Sequence, residues 1–263
     1  MVELGPYVVT KRFRPGDHGR CAREWRALTL LATHAPGVAP RPLTIDFDAA
    51  APVVTMTRLY GEPLRGQVLD SVSTAALVET VAELHSAVPP GVLDRLSTRP
   101  GHQRNLCEFV YTWAPKARPG LGNHVARALD EGLTWLNGSA LRDTTKANVQ
   151  SVFGPGDGNL ANYLWGGSRV RVVDFEESGR SDRAFELAEI TEHVGSWVEY
   201  PLDVSVFLSR FALTPAESDR LQECRRLLAL VWLLLLCRDA KGERRNPPGT
   251  TDRQARRLLI LLT

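Results

Sequence analysis

Gly156-Asp157-Gly158-Asn159-Leu160-Ala161-Asn162-Tyr163-Leu164-Trp165, followed by Val172-Val173-Asp174-Phe175-Glu176, is the stretch on which the reading of the chain turns. Asp157 and Asn162 stand five positions apart, and Asp174 closes a short apolar run of strand-forming residues. Between them lie Leu164-Trp165, the turn Gly166-Gly167-Ser168 and the strand over 169–173, which together return Asp174 towards the first two. Three oxygen-bearing side chains therefore converge, each on rigid apolar flanks.

Moving a phosphoryl group from a nucleotide to a hydroxyl needs a base that orients the hydroxyl and accepts its proton. It also needs hard oxygen ligands that hold Mg²⁺ against the phosphates. In the protein-kinase arrangement an Asp does the first job, while an Asn five positions on and an Asp on the next hairpin do the second. Asp157, Asn162 and Asp174 fit those roles. An Asp-x4-Asn pair by itself also fits a polar loop or an Asx-turn.

The run Phe153-Gly154-Pro155-Gly156-Asp157-Gly158-Asn159-Leu160-Ala161-Asn162-Tyr163-Leu164-Trp165, with Val172-Val173-Asp174-Phe175-Glu176 and Asp182-Arg183-Ala184-Phe185-Glu186-Leu187-Ala188, resembles the catalytic segment of the aminoglycoside phosphotransferases. These are antibiotic kinases of protein-kinase-like fold. The resemblance is close over residues 150–193 and weaker but colinear elsewhere. It implies that Asp157 is the catalytic base and that Asn162 and Asp174 are the metal ligands. One departure stands out: the family usually has His two residues before the catalytic Asp, where it braces the loop, and this chain has Pro155. Proline fixes φ and lacks an N–H, so the loop must be held another way.

At 263 residues and 43% hydrophobic content the chain can bury a sizeable core in one compact, bilobal unit. A net charge of +2 without a basic stripe gives no footprint for nucleic acid. Cys21, Cys107, Cys224 and Cys237 lack metal spacing and read as reduced thiols of a cytoplasmic protein. The N-terminus has no basic region followed by an apolar core, so a signal peptide is not expected. The apolar run over 227–237 is too short to cross a bilayer and marks a core helix.

Tyr7-Val8-Val9-Thr10-Lys11-Arg12-Phe13 reads as a strand, and apolar residues Trp25, Leu28, Leu31 and Ala32 place a helix behind it. The resemblance makes Lys11 the phosphate-positioning lysine and Glu24 its partner; without it, Lys11 reads as a solvated edge charge and Glu24 as a first-turn acid. Only ten residues precede Lys11, so the strand pair that covers the phosphates in the family is expected to be shortened or missing. A strand hairpin over 43–47 and 53–59 leads into a connector whose backbone, at Thr57, Arg58 and Leu59, is implied to meet the nucleobase edge. The segment over 73–86 is an amphipathic helix, with His85 a core or capping histidine. Residues 89–123 are rich in Pro, Gly and Arg and have no readable fold, while 125–136 reads as a helix.

Between Asp174 and Glu199 there are eight acids against two arginines, a net of six negative charges. Such a concentration suits a cationic acceptor, and Glu177, Glu189 and Glu192 are the candidates to meet it; the plainer reading is a solvated helix face. Asp182 is implied to brace the catalytic loop. Thr214-Pro215-Ala216-Glu217 reads as a helix start, and the tail over 251–263 as a last amphipathic helix.

The expected fold is α+β and two-lobed: a reduced N-terminal β lobe over 1–59 and a mainly helical lobe over 60–263. The implied activity is transfer of the γ-phosphoryl of ATP or GTP, with Mg²⁺, to a hydroxyl of a small, cationic, aminoglycoside-like acceptor. A kinase of another hydroxylated metabolite and a non-catalytic nucleotide-binding protein are the alternatives. No nucleic-acid or membrane partner is expected, and the sequence carries no signal for the oligomeric state.

Overall fold

The β-branched run Val8-Val9-Thr10 and the alternating Val53-Val54-Thr55-Met56-Thr57 suit a pleated surface with one buried face, and both form strands. In the computed structural model, which describes residues 1–48, 50–142, 149–239 and 246–263, the chain begins with β1 (Val2–Leu4) and β2 (Val8–Arg12). Then come α1 (His18–His34), β3 (Pro42–Asp46) and β4 (Val53–Thr57). The strands form an antiparallel sheet in the order β1-β2-β4-β3. Val54 and Met56 point inward, and α1 covers them with Cys21, Ala27, Leu28 and Leu31. Lys11 pairs in register with Val54 at the centre of the sheet.

The expected cover ahead of Lys11 is shortened, not missing. The hairpin β1–β2 turns at Gly5-Pro6-Tyr7, closed by the Gly5 N–H on the Val8 carbonyl at 2.8 Å. That turn is fastened to the connector: Arg58 donates its N–H to Tyr7 O at 2.8 Å and its guanidinium to Gly5 O at 2.9 Å, and Tyr60 Oη donates to Pro6 O.

Beyond the connector come β5 (Glu62–Pro63), α2 (Ser71–Ala87), α3 (Pro90–Leu93), α4 (Gln103–Ala117) and α5 (Asn123–Gly138). After these stand β6 (Ser151–Gly154), β7 (Tyr163–Trp165), β8 (Val170–Val172), β9 (Gly179–Asp182) and α6 (Arg183–Glu192). The chain finishes with α7 (Val204–Leu208), α8 (Pro215–Asp239) and α9 (Thr250–Leu262). Strands β5, β7 and β8 form one small antiparallel sheet, and β6 and β9 form another. Residues 89–123, silent in the sequence, become α3, α4 and a linking segment that bridges to β9 at Thr98 and Arg180. The capping box at Thr214 is present: Glu217 N–H donates to Thr214 Oγ1 at 3.2 Å and Thr214 N–H to Glu217 Oε2 at 2.9 Å.

One core lies beneath the sheet and around α2 and α6, and a second fills the space between α4, α5, α8 and α9. Among the described residues no helix is long and apolar enough to cross a membrane. Glu192 is not at an acceptor surface as expected. It is fully buried at the end of α6, where Arg225 of α8 reaches one oxygen at 2.7 Å and Arg257 of α9 the other at 2.9 Å. Both oxygens are taken, as the burial of a carboxylate requires.

Removing that carboxylate strands two guanidinium groups between helices. Glu192→Ala is expected to lower stability by about 3 kcal/mol in urea unfolding, with Glu192→Gln losing less; an unchanged midpoint for Glu192→Ala would contradict this account.

Candidate active site

Strand β6 delivers the loop. Pro155 is buried at its end, packed near Leu84, His85 and Tyr163. Gly156 follows with φ of 98°, a conformation strained for other residues, and a Cβ there would lie 2.2 Å from the Glu177 carbonyl oxygen. At Gly158 a Cβ would lie 2.3 Å from the Glu189 backbone, so the loop presses directly on α6. Asp157 stands between these two close approaches.

The Asp157 carboxylate is held from its own loop. Asn159 N–H donates to Oδ1 at 2.9 Å, and Asn162 Nδ2 donates to Oδ2 at 3.1 Å. The Asx-turn and the converging site are thus the same structure. Burial raises the pKa of Asp157, with the Asn159 hydrogen bond pulling against it. Asn162 sits in the 3₁₀ turn 160–162, capped by Asn159 Oδ1 accepting from Ala161 N–H at 3.1 Å. Its carbonyl accepts from Val173 N–H at 3.0 Å, and the β7–β8 register, Tyr163 opposite Val172, then brings Asp174 alongside.

Asp174 has φ of 71°, alone among described non-glycine residues in having positive φ. Phe175 N–H, immediately after it, donates to Glu24 Oε2 at 2.8 Å, and Lys11 Nζ donates to Asp174 Oδ1 at 2.6 Å. Lys11 also meets Glu24 at 3.0 Å and Glu176 at 3.0 Å. Burial disfavours the Lys11 ammonium, but Glu24, Asp174 and Glu176 outweigh it and hold its pKa above the ordinary value. Glu24 is 1% exposed, and burial raises its pKa against the opposing pull of Lys11. The structure therefore brings Lys11, Glu24, Asp157, Asn162 and Asp174 together. The contact of Glu24 with Phe175 and that of Glu176 with Lys11 were not foreseen.

Arg99 was missed as well. It lies in the unread segment and is 2% exposed. Its Nη1 donates to Gly156 O at 3.1 Å, its Nε to Glu186 at 2.6 Å, and Nη2 lies 2.9 Å from Glu189, with the guanidinium over the Phe185 ring. A buried cation thus clamps the peptide immediately before Asp157 onto α6. Nothing in the local sequence marks this arginine, since its partners on the loop and on α6 lie 57 to 90 positions away.

The acceptor expectations fare differently. Glu177 is paired with Arg20 at 2.7 Å and Arg23 at 3.5 Å, both from α1, and Glu189 with Arg99. Each of the eight acids between Asp174 and Glu199 has a basic partner, Glu199 meeting Arg65 at 3.8 Å, so the negative run is compensated in space and does not form an acidic cleft. Asp182 does not brace the loop: its oxygens accept from Phe185 N–H and Arg220 and lie 3.3 Å from His102, which fixes α6 to α4 and α8. At the connector, Thr57 Oγ1 accepts from Arg41 N–H at 2.9 Å, and the Arg58 N–H and guanidinium are committed to the turn over 5–7. Leu59 follows at the crossing to β5.

The donor set fits Mg²⁺. Asn162 spends its Nδ2 on Asp157, which leaves the amide oxygen as its donor, and the Asp174 carboxylate is 41% exposed. No cluster of three or more His, Cys, Asp or Glu side chains able to hold a metal occurs among the described residues. Two protein oxygens beside phosphate and water are what Mg²⁺ commonly takes.

The family profile described as phosphotransferase enzyme family matches residues 2–222. Among solved structures, a choline/ethanolamine kinase family protein from Mesorhizobium loti is 17% identical with a TM-score of 0.67, covering 99% of this chain and 84% of its own. A thermostable mutant of aminoglycoside phosphotransferase APH(4)-Ia, in a ternary complex with AMP-PNP and hygromycin B, is 18% identical with a TM-score of 0.61, covering 100% and 92%. An aminoglycoside 2'-phosphotransferase-IIIa mutant in its GDP complex is 15% identical with a TM-score of 0.66, covering 97% and 84%. At these identities the likeness establishes the fold, which is kinase-like. Among curated proteins, none matches the sequence.

Burial pushes the Glu189 carboxyl up to about 7, against the pull of Arg99. A carboxyl with a raised folded pKa adds stability that is complete below its free value of 4.5 and is lost as pH rises through about 7. Glu189→Gln is therefore expected to gain melting temperature on wild type between pH 5 and pH 8 in thermal unfolding. A difference of equal size at both pH values would refute the assignment.

Proposed function

The chain belongs to the phosphotransferase enzyme family, and on that footing we propose that it moves the γ-phosphoryl group of ATP or GTP to a hydroxyl of a small organic acceptor. The observation that carries this reading is the meeting of the Lys11–Glu24 pair with Asp174 and of Asp157 with Asn162.

Asp157 orients the acceptor hydroxyl through the open side of Oδ2 and takes its proton as the hydroxyl oxygen bonds to the γ-phosphorus and the nucleoside diphosphate departs. Its raised pKa brings the carboxylate nearer the basicity that proton transfer at neutral pH requires. Lys11, steadied by Glu24, positions the phosphates, while the backbone at Thr57, Arg58 and Leu59 meets the nucleobase edge. Asn162 and Asp174 would hold Mg²⁺, which when bound neutralises charge on the phosphates.

For the acceptor we propose a hydroxylated cation, an aminoglycoside or an amino-alcohol. The support is the range of structural neighbours, which are named both as aminoglycoside phosphotransferases and as choline kinases. Of the acids first considered, Glu189 keeps the best case, since it is partly exposed and near Asp157, whereas Glu177 is tied to α1. A second reading, nucleotide binding without turnover, draws on Pro155 in the usual histidine position.

Asp157→Asn is expected to keep the thermal shift given by Mg-ATP or Mg-GTP while turnover falls roughly 10²–10⁴-fold. Turnover is followed as nucleoside diphosphate release over hygromycin B, spectinomycin, choline and ethanolamine. Retention of most activity in that variant would remove Asp157 from its role, and a wild-type protein that shifts with neither nucleotide would remove the kinase reading itself.

A further inference from the structure

We propose that His193 is a positioning residue for Asp157, its neutral imidazole presenting an Nε2–H to Asp157 Oδ1 from beneath the loop. The inference rests on the reading of Asp157 as base and adds what keeps that base aimed. Loop residue Pro155 offers no N–H, and Asn159 and Asn162 restrain the carboxylate only from within its own turn. Arg99 holds the loop at the Gly156 carbonyl, and a donor aimed at the carboxylate from outside its turn is offered at the end of α6.

His193 follows α6 and is buried. Its Nδ1 accepts from Gly195 N–H at 2.9 Å, so the ring proton of the neutral form is on Nε2. Nε2 lies 3.5 Å from Asp157 Oδ1, a long approach of the kind that tightens when substrate is bound. Trp232 of α8 meets the ring edge-on with centroids 4.4 Å apart and fixes its plane. Burial and the nearby Arg65 keep the imidazole uncharged, its pKa lowered to about 3. The turn over 193–195 is itself fitted to the loop: a Cβ on Gly195 would lie 2.6 Å from Asn159 Oδ1.

Replacing His193 also removes the acceptor for Gly195 N–H and the ring against Trp232, whereas the other groups facing Asp157, namely Asn159, Asn162, Asp174, Arg99 and Glu189, belong to the loop, the hairpin, the 99 segment and α6.

The test is the ¹H–¹⁵N spectrum of [¹⁵N]His-labelled protein between pH 5 and 8. We expect the Nε2–H tautomer without titration and a displaced Nε2–H resonance in Asp157→Asn. A proton on Nδ1, a histidine that titrates in this range, or a resonance indifferent to Asp157→Asn overturns the proposal, and this readout needs neither acceptor nor turnover. In turnover, His193→Phe should lower kcat roughly 5–10-fold at unchanged nucleotide KM, the worth of one hydrogen bond. His193→Gln, which keeps a donor, should recover most of it, and equal loss in both variants also overturns it. Failure of the base reading shows separately, as an active Asp157→Asn protein.

Discussion

A carboxylate that is almost wholly out of water cannot remain without partners, and Glu24 finds its two in different parts of the chain. Lys11 Nζ comes from the sheet, and Phe175 N–H comes from the segment after β8, both to the same oxygen, Oε2. Through this one atom, α1, the small sheet and the Asp174 segment share a common reference point. Asp174, in its left-handed conformation, is held between the Phe175 contact on one side and Lys11 on the other. Loss of Lys11 leaves the buried Glu24 carboxylate without its counter-charge, and loss of the Phe175 N–H leaves it one hydrogen bond short.

Charge compensation at long range is the second organising device. The acids from Asp174 onwards look like a negative patch in one dimension, but the fold brings arginines to them from α1, α8, α9 and the 99 segment. Several of these pairs are buried, where Coulomb attraction is little screened and an unpaired partner is costly. They join α6 to the helices around it and, through Arg99, join α6 to the loop that carries Asp157. Much of the local excess of negative charge is spent on assembly, and Asp157 and Asp174 are among the carboxylates that stay more accessible.

The loop itself is a close fit, not a flexible connection. Gly156 and Gly158 let the chain pass within contact distance of the Glu177 and Glu189 backbones, and Arg99 clamps the peptide between Gly156 and Asp157. Pro155 is accommodated in an apolar setting beside Tyr163. The support that a histidine at position 155 would give is thus distributed among a buried arginine, two close glycine contacts and the side of α6.

Much of this was legible in the sequence, because local spacing and periodicity encode it. Asp157, Asn162 and Asp174 are joined by one turn and one hairpin, so their spacing allows them to meet, while the pairing of Glu24 with Lys11 was implied only by the family resemblance. The capping box at Thr214 and the presence of α2 and α9 were likewise written in neighbouring residues. Other features depend on contacts between residues far apart in the chain, which spacing does not record. Arg99 on Gly156, Phe175 on Glu24, and the enclosure of Glu192 by Arg225 and Arg257 belong to this kind. Spacing along the chain thus marks Asp157, Asn162 and Asp174 as candidates that can meet, while which carboxylates are paired and which stay accessible follows from the packed chain, because pairing and desolvation arise between residues that are distant in sequence.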